Sequence, residues 1–303
     1  MSRLSRLSRL LPDDGRVAVA VATTGATAAA CLAQGRAAAE AGADVVELRA
    51  DLLDAGAGPA RPAARDVVGL GGALAGGAGV PVLVTVRTAA EGGGVRLDDG
   101  AYRELLRALA EGLAALPEAR RSGAGRPAAG AGRPEARRPA ALDIELARGR
   151  TAELVARAHA AGLDAVVSCH DFEATPQDAV MLGRLRAMAE AGADAAKLAV
   201  MPRSAHDVAR LLGVTARASE ELDVPVVTMS MGALGTVSRV SGAVFGSALT
   251  FATAGGASSA PGQLPIGEVR EVLRLLGSPT SPARRDRSYS GSRSVRGPAS
   301  VRS

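Results

Sequence analysis

The chain contains a single lysine, Lys197, among 36 basic residues. Arginine keeps its proton in proteins, whereas lysine can lose its proton and become a nucleophile. Lys197 lies in the apolar run Ala195-Ala-Lys-Leu-Ala-Val200, and burial of that run would disfavour the charged ammonium. Such an amine condenses with a ketone to form an iminium, which acidifies the adjacent carbon. The chemistry indicated is Schiff-base catalysis, although one lysine can also survive by chance in a lysine-poor chain.

His170 is the candidate base for that chemistry. It follows an apolar run in the motif Ser168-Cys-His-Asp171, and it is the only one of the three histidines at a predicted strand end. His159 falls inside a helical pattern and His206 at a helix start, where surface positions are expected. An imidazole that titrates near neutral pH can both remove and return a proton.

These residues sit in a repeating pattern of short apolar runs and longer helical segments. The runs predict strands at 16–22, 44–49, 80–87, 140–146, 164–169, 193–200, 224–229 and 247–252. Helices are predicted at 27–41, 98–116, 151–161, 176–191, 204–222 and 265–276, several ending in Ala-Gly, where glycine suits a left-handed cap. Eight such units favour one (β/α)8 TIM-type barrel, with its active site at the carboxyl ends of the strands. The alternative, a doubly wound open sheet, lacks its Gly-x-Gly-x-x-Gly turn after the first strand.

Ionisable residues collect where several predicted strands end. Alternation points Glu47, Arg49 and Asp51 to one side of the sheet. Later strand ends carry Arg87 with Glu91, then Asp143 with Glu145, then His170. Two interpretations stay open for Asp51, Asp143 and Glu145: they belong to the reactive site, or they form a structural ring of ion pairs that closes the top of the barrel.

Charge and composition divide the chain into a body and appendages. Of a net charge of +5, the segments 1–12, 117–139 and 278–303 carry +3, +4 and +5, which leaves the rest at −7. We therefore expect a flexible extension over 1–15, a barrel over 16–277 with a low-complexity insertion at 117–139, and a disordered Arg/Ser-rich tail over 278–303. The glycine-rich stretch 71–79 is also expected to be loose.

The same composition excludes several functional classes. No uncharged apolar run is long enough to cross a membrane, and five aromatic residues without tryptophan offer no stacking platform for nucleic acid. Nucleic-acid binding by the basic tails is therefore disfavoured. Two distant cysteines, Cys31 and Cys169, indicate a reducing compartment, so we expect a cytoplasmic protein.

Motifs spread over nearly the whole body resemble, in order, those of the type I 3-dehydroquinate dehydratases. They are Glu47-Leu-Arg-Ala-Asp51, Thr85-Val-Arg-Thr-Ala-Ala-Glu91, Asp143-Ile-Glu145, Ser168-Cys-His170-Asp-Phe, Lys197-Leu-Ala, Met229-Ser-Met231, Ser238-Arg239 and Ser259-Ala-Pro-Gly-Gln263. The resemblance covers roughly residues 17–276. Single motifs of this kind are weak signals, but eight in order, each at a predicted strand end, are specific.

The resemblance implies a lyase of the shikimate pathway that converts 3-dehydroquinate to 3-dehydroshikimate, works as a homodimer and needs no cofactor or metal. By position, Lys197 matches the Schiff-base lysine, His170 the general acid and base, and Glu91 the carboxylate that orients the histidine. The positions that match substrate contacts are Glu47, Arg49, Arg87, Met231, Arg239, Phe251, Ser259 and Gln263, and Arg239 matches the arginine that grips the substrate carboxylate.

The chain departs from the family pattern at two places, and two other functions stay open. The doubled serine leaves open whether Ser258 or Ser259 faces substrate, and Cys169 stands where the family often has an aromatic residue. A class I aldolase would use the same lysine logic, but it usually holds a phosphate on glycine-rich backbone where this chain has Ser238-Arg239. An inactive barrel with basic binding tails is the non-enzyme alternative.

Overall fold

The computed structural model describes residues 9–53, 62–118, 136–255 and 258–276. Eight strands alternate with helices along the chain. They are β1 Ala18–Ala22, β2 Val45–Arg49, β3 Val82–Thr85, β4 Ala141–Glu145, β5 Asp164–Asp171, β6 Ala195–Val200, β7 Val226–Ser230 and β8 Leu249–Ala252. Every predicted strand is present, and its ends lie within two residues of the predicted ends.

The strands form one parallel sheet that curls into a barrel. Its order is β7-β6-β5-β4-β3-β2-β1-β8, and each neighbouring pair runs parallel. β8 returns towards β7 through a parallel bridge between Val226 and Ser247. The prediction of a (β/α)8 barrel is confirmed. Because all strands point the same way, their carboxyl ends gather on one face.

Eight α-helices cover the outside of the sheet. They are α1 Ala28–Glu40, α2 Ala64–Gly77, α3 Asp99–Ala114, α4 Thr151–Ala160, α5 Asp178–Glu190, α6 Ala205–Glu221, α7 Gly232–Ser241 and α8 Ile266–Leu275. Thr27, Asp98 and Ser204 cap the first turns of α1, α3 and α6 by accepting backbone N–H groups. The predicted Ala-Gly endings are confirmed, since the glycines that follow α1, α4 and α5 have φ of 94°, 74° and 92°.

The expectation of a loose stretch at 71–79 was wrong, because residues up to Gly77 belong to α2. Leu70 and Leu74 bury one face of this helix. A β-carbon on Gly72 would lie 2.8 Å from the Leu116 side chain, so glycine permits the close approach of α2 to the end of α3. Tertiary packing therefore outweighs the low helix propensity of glycine here. The helices predicted from the sequence include neither α2 nor α7.

Side chains inside the barrel change from apolar to ionisable along each strand. In β2 the inward sequence is Val45, Glu47 and Arg49, because every second residue points to the same face. The apolar floor includes Leu10, which is 3% exposed and packs with the interior cluster. Part of the predicted N-terminal extension thus contributes to the core. The ionisable layer lies above this floor, at the carboxyl ends.

The insertion predicted at 117–139 opens from the opposite face, between α3 and β4. Its ends meet, since Glu118 and Arg138 form a parallel bridge and the Arg138 N–H donates to the Pro117 carbonyl. The rest of the insertion, residues 1–8 and the tail 278–303 lie outside the described residues. Within the described ranges, no helix has the length and apolar character needed to span a bilayer.

Candidate active site

Lys197 lies at the centre of the barrel, with 5% of its side chain exposed. It is the inward residue at the middle of β6, paired in register with Ser168 of β5. Its Nζ lies 3.4 Å from Glu47 Oε1, 3.5 Å from Asp143 Oδ2 and 4.5 Å from the centre of the Phe251 ring. Two carboxylates and the face of an aromatic ring thus surround Nζ, and each attracts positive charge. The sequence argument considered only apolar and cationic neighbours and did not foresee these contacts.

His170 and Glu91 form a hydrogen-bonded pair beside the lysine. The His170 Nδ1 lies 2.9 Å from Glu91 Oε2, and the His170 backbone N–H donates to the same oxygen at 3.0 Å. Glu91 ends a single 3₁₀ turn, Ala89–Glu91, which follows β3 and is closed by Gly92 with φ of 76°. With Nδ1–H donated to Glu91, a neutral imidazole carries its lone pair on Nε2. The predicted partnership of these two residues is present in the structure.

Burial and neighbouring charges keep this imidazole neutral. Burial lowers the pKa of His170 well below its usual value, and the charges of Arg87, Lys197 and Arg49 act in the same direction. Burial also raises the pKa of Glu91 to about 8, with Arg87 opposing the rise and Glu145 adding to it. The two groups titrate as a pair. A neutral imidazole at physiological pH is available to accept a proton.

Arg87 connects several of the buried polar and ionisable side chains at the carboxyl ends of the strands. Its Nη1 contacts Glu91, Glu145 and Ser168 at 3.3, 3.1 and 3.0 Å, while its Nη2 donates to Asp143 at 2.8 Å. Burial opposes the charge of Arg87, but the surrounding carboxylates outweigh burial and raise its pKa. Arg87 is already committed to these internal partners, so it holds the carboxylates in place.

Arg49 is likewise paired, in this case with one carboxylate. Its Nε and Nη2 donate to the two oxygens of Asp51 at 2.8 and 2.7 Å, which is a bidentate arrangement. Asp51 also accepts the backbone N–H groups of Arg87 and Gly94. Burial alone would raise the pKa of Asp51, yet Arg49 and these donors lower it. Asp51 and Glu145 thus follow the structural interpretation left open by the sequence.

Arg239 differs from both of these arginines because no carboxylate pairs with it in the described ranges. Its Nη2 donates to the Pro261 carbonyl at 2.9 Å and its Nη1 approaches the Met229 sulfur at 3.7 Å. The buried Nε has no hydrogen-bond partner there. Burial lowers the pKa of Arg239 to about 10. A buried guanidinium without a counter-ion is suited to bind an anion.

These side chains surround one cavity that opens at the carboxyl face of the barrel, with about 480 Å³ of empty space when its open mouth is counted. All eleven residues selected from the sequence line it. The full lining is Glu47, Arg49, Arg87, Glu91, Gly92, His170, Phe172, Lys197, Ala199, Met229, Met231, Arg239, Phe251, Ser259, Ala260 and Gln263.

The cavity lining favours Ser259 over Ser258 and includes Phe172, a residue that the sequence analysis did not select. Ser259 lines the cavity and receives a hydrogen bond from Gln263 Nε2 at 3.0 Å, whereas Ser258 is exposed outside it. Phe172, which sequence reasoning did not select, lies over Gly92 at the cavity mouth and is 38% exposed. Its position two residues after His170, on the same side of the chain, was the signal that could have identified it.

The arrangement of these side chains defines a class of protein. The barrel holds a buried lysine, an oriented neutral imidazole and an uncompensated cation around one small cavity. Such a set can form an imine with an anionic carbonyl compound and move a proton next to it. No cluster of three or more metal-ligating side chains occurs in the described part of the chain.

Comparison with known proteins identifies the family within that class. The type I 3-dehydroquinase profile matches residues 19–117 and 134–280, and this chain belongs to that family. The 3-dehydroquinate dehydratase of Klebsiella pneumoniae subsp. pneumoniae is 38% identical over 267 residues, which cover 87% of this chain and 95% of that protein. The enzyme of Neisseria meningitidis serogroup A is 39% identical over 235 residues, 77% of this chain and 81% of that protein.

Solved structures agree with this assignment. The crystal structure of 3-dehydroquinate dehydratase from Geobacillus kaustophilus has a TM-score of 0.71 and 32% identity, and the match covers 86% of this chain and 91% of that one. The type I enzyme from Clostridium difficile, described with covalently modified comenic acid, has a TM-score of 0.72 and 30% identity, with 86% and 92% coverage.

Proposed function

We propose that this protein is a hydro-lyase that dehydrates 3-dehydroquinate to 3-dehydroshikimate in the shikimate pathway of aromatic amino acid biosynthesis. The observation that carries the proposal is the position of the one lysine, Lys197, buried in the cavity within 3.5 Å of two carboxylates and close to the His170–Glu91 pair. Membership of the type I 3-dehydroquinase family supports the choice of substrate.

The first stage is formation of an imine on Lys197. The ammonium gives up a proton, and the neutral Nζ attacks the C3 ketone of the substrate to form a carbinolamine. His170 mediates loss of water from this intermediate, which leaves a protonated imine between Nζ and C3. The positive nitrogen withdraws electrons from C3 and makes the C2 proton acidic.

The second stage is the elimination itself. Nε2 of neutral His170 removes the C2 proton, the electron pair forms the C1–C2 double bond, and the C1–OH bond breaks. His170 returns its proton to the departing hydroxyl, which leaves as water. Glu91 orients the ring through its bond to Nδ1. Hydrolysis of the product imine then releases 3-dehydroshikimate and restores Lys197.

Substrate binding uses the remaining lining residues. Arg239 grips the substrate carboxylate, since it lines the cavity without a counter-ion among the described residues. Ser259 and Gln263 stand beside it on the loop after β8 and supply hydrogen-bonding groups. The other contacts assigned to substrate are Glu47, Arg49, Arg87, Met231 and Phe251. No metal or organic cofactor enters the mechanism.

Borohydride trapping tests the proposal. Reduction of the protein with borohydride in the presence of 3-dehydroquinate should fix the imine as a secondary amine on Lys197, detected by intact mass and peptide mapping. Lys197→Arg is the matched control because it keeps the charge but cannot form the imine. We expect one adduct in the natural protein and none in the variant.

Other outcomes would overturn the proposal. Absence of both the adduct and 3-dehydroshikimate formation would refute it. An adduct with a phosphorylated sugar, together with carbon–carbon cleavage, would instead indicate a class I aldolase. Salt-sensitive nucleic-acid binding that is lost on deletion of 278–303, without dehydratase activity, would indicate an inactive barrel.

The resemblance to the family also leads us to propose a homodimer in the cytoplasm that does not bind nucleic acid. Cys31 and Cys169 are both buried free thiols, which suits a reducing compartment. Light scattering on the purified full chain tests the oligomeric state, and a mass equal to one chain would refute the homodimer.

A further inference from the structure

Asp143 is a buried carboxylate beside the reacting nitrogen, and the mechanism above assigns it no step. It is the central residue of β4 and is fully buried. Its Oδ2 lies 3.5 Å from Lys197 Nζ. Unlike Glu47, the other carboxylate near Nζ, Asp143 does not line the cavity. Asp143 therefore contacts Lys197 from the buried interior of the barrel and not from the cavity surface.

The two oxygens of Asp143 have different partners. Oδ1 accepts hydrogen bonds from Arg87 Nη2 at 2.8 Å and from Ser168 Oγ at 2.7 Å. Oδ2 is buried and has no hydrogen-bond partner within the described ranges. An unfilled buried acceptor is costly unless something uses it. The side chain is thus held through Oδ1, and Oδ2 is left directed towards Lys197.

Asp143 is also ionised. Burial would raise its pKa, but the charges of Arg87 and Lys197 and the hydrogen bond from Ser168 outweigh burial and lower it. A fixed negative charge therefore lies next to the Lys197 amine, 3.5 Å from Nζ. Glu47 cannot substitute for it fully, because Glu47 Oε1 accepts from Thr85 and the Glu47 side chain is exposed to the substrate cavity.

We propose that Asp143 is a further catalytic residue of this site, namely the acceptor and counter-charge for the protonated imine on Lys197. The inference rests on the proposed function. A protonated imine of lysine keeps one N–H on a planar nitrogen, so that hydrogen points in a fixed direction and needs an acceptor. Asp143 Oδ2 accepts it from the buried interior of the barrel, which leaves C2 of the substrate facing His170. No bond to Asp143 forms or breaks.

The charge balance at this nitrogen includes every group that faces it. A charge of opposite sign within about 4–6 Å moves a titration by about one to three pH units. Loss of Asp143 should therefore destabilise the protonated imine most at high pH, where the proton is lost. The other titratable or charged groups near Lys197 are Glu47 and Arg49 on β2, Arg87 and Glu91 after β3, His170 on β5 and Arg239 on α7.

The test is the pH dependence of borohydride trapping in Asp143→Asn. This change removes the charge and keeps the shape. The matched control is Glu145→Gln, a buried carboxylate two residues further along β4 that also bonds Arg87 but has no ion pair with Lys197. In Asp143→Asn we expect the highest pH at which borohydride still traps the adduct to fall by at least about one unit. We also expect kcat to fall tenfold or more, with KM little changed. Glu145→Gln should keep the limit of the natural protein.

The outcomes separate this inference from the proposed function. No adduct in the natural protein refutes the proposed function itself. A normal adduct there, with the same trapping limit in Asp143→Asn, refutes the role of Asp143 and leaves it a support for Arg87. A shift of equal size in Glu145→Gln also refutes it, because the effect would then come from general rearrangement of the Arg87 network.

A second measurement covers the case in which Asp143→Asn does not fold. Because Lys197 is the only lysine, labelling with ¹⁵Nζ-lysine produces one nitrogen signal for the substrate adduct. Ser168→Ala removes a donor from Asp143 Oδ1 and leaves more negative charge for Oδ2. We expect this signal to move in Ser168→Ala and to stay in place in Glu145→Gln. An unmoved signal in Ser168→Ala overturns the inference.

Discussion

Replacement of Arg239 by methionine should make the free protein more stable while it damages substrate binding. The buried guanidinium has no carboxylate partner in the described ranges. Burial lowers its pKa to about 10, against roughly 12.5 for an unfolded chain. Each pH unit corresponds to about 1.4 kcal/mol, so the charge destabilises the folded state by about 3 kcal/mol.

The sign follows from proton binding. Because burial disfavours the charged guanidinium, the folded state binds this proton less tightly than the unfolded chain does, and the full cost is present at neutral pH, below both pKa values. Arg239→Met removes this cost and also the hydrogen bond to Pro261, which contributes about 1 kcal/mol. The expected net gain is about 1–2 kcal/mol in the free energy of unfolding at pH 7.

The assay is urea unfolding of the free protein, with steady-state kinetics on the same samples. Arg49→Met is the matched control, because Arg49 is also buried but is bidentate with Asp51. Leaving Asp51 without its partner should destabilise the protein by about 3 kcal/mol or more. KM for 3-dehydroquinate should rise about 10- to 100-fold in Arg239→Met, as expected for loss of a charged hydrogen bond. A loss of stability of 1 kcal/mol or more in Arg239→Met would show that the guanidinium has a structural role and would refute this reasoning.

Two further predictions concern the histidine and its partner. His170→Ala should lower kcat by about 10²- to 10⁴-fold, whereas His159→Ala, whose ring bonds Asp194 away from the cavity, should change it less than twofold; near-normal turnover in His170→Ala would contradict the assignment of the acid and base. Glu91→Gln should flatten the pH dependence of stability. Because burial raises the pKa of Glu91 to about 8, the folded state binds the extra proton, and the contribution of Glu91 to the free energy of unfolding should fall as the pH rises from about 5 to 8. Urea unfolding at pH 6 and pH 8 measures both slopes, and equal slopes would exclude Glu91 as the titrating group.

The sequence was sufficient for the parts of the site that depend on local periodicity. Alternation along β2 placed Glu47 and Arg49 on one face, and the inward positions of β5 and β6 carry His170 and Lys197. A period of two residues is a property of any extended strand, so it can be read without knowledge of the neighbours. Parallel strands then bring their carboxyl ends to one face, so the selected strand-end residues line one cavity, together with Arg239, Ser259 and Gln263, which the family resemblance supplied.

The partners of each charge depend on tertiary structure. Arg49 and Arg239 look alike in the sequence, yet one is neutralised by Asp51 and the other has no carboxylate partner in the described ranges. The two carboxylates at Lys197 come from β2 and β4, and their distances are set by strand register and barrel curvature.

Dependence on tertiary contacts also explains why the predictions for residues 71–79 and for the N-terminal extension were wrong. Residue by residue, the glycines of α2 disfavour a helix, and only the close approach of α3 makes them suitable. Leu10 became part of the barrel floor for a similar reason, since contacts between distant segments decide its burial. Sequence alone determined which side chains face inward and in what order along each strand. Tertiary structure decided which of them are paired, because pairing depends on distances of a few ångströms between residues that are far apart in the chain.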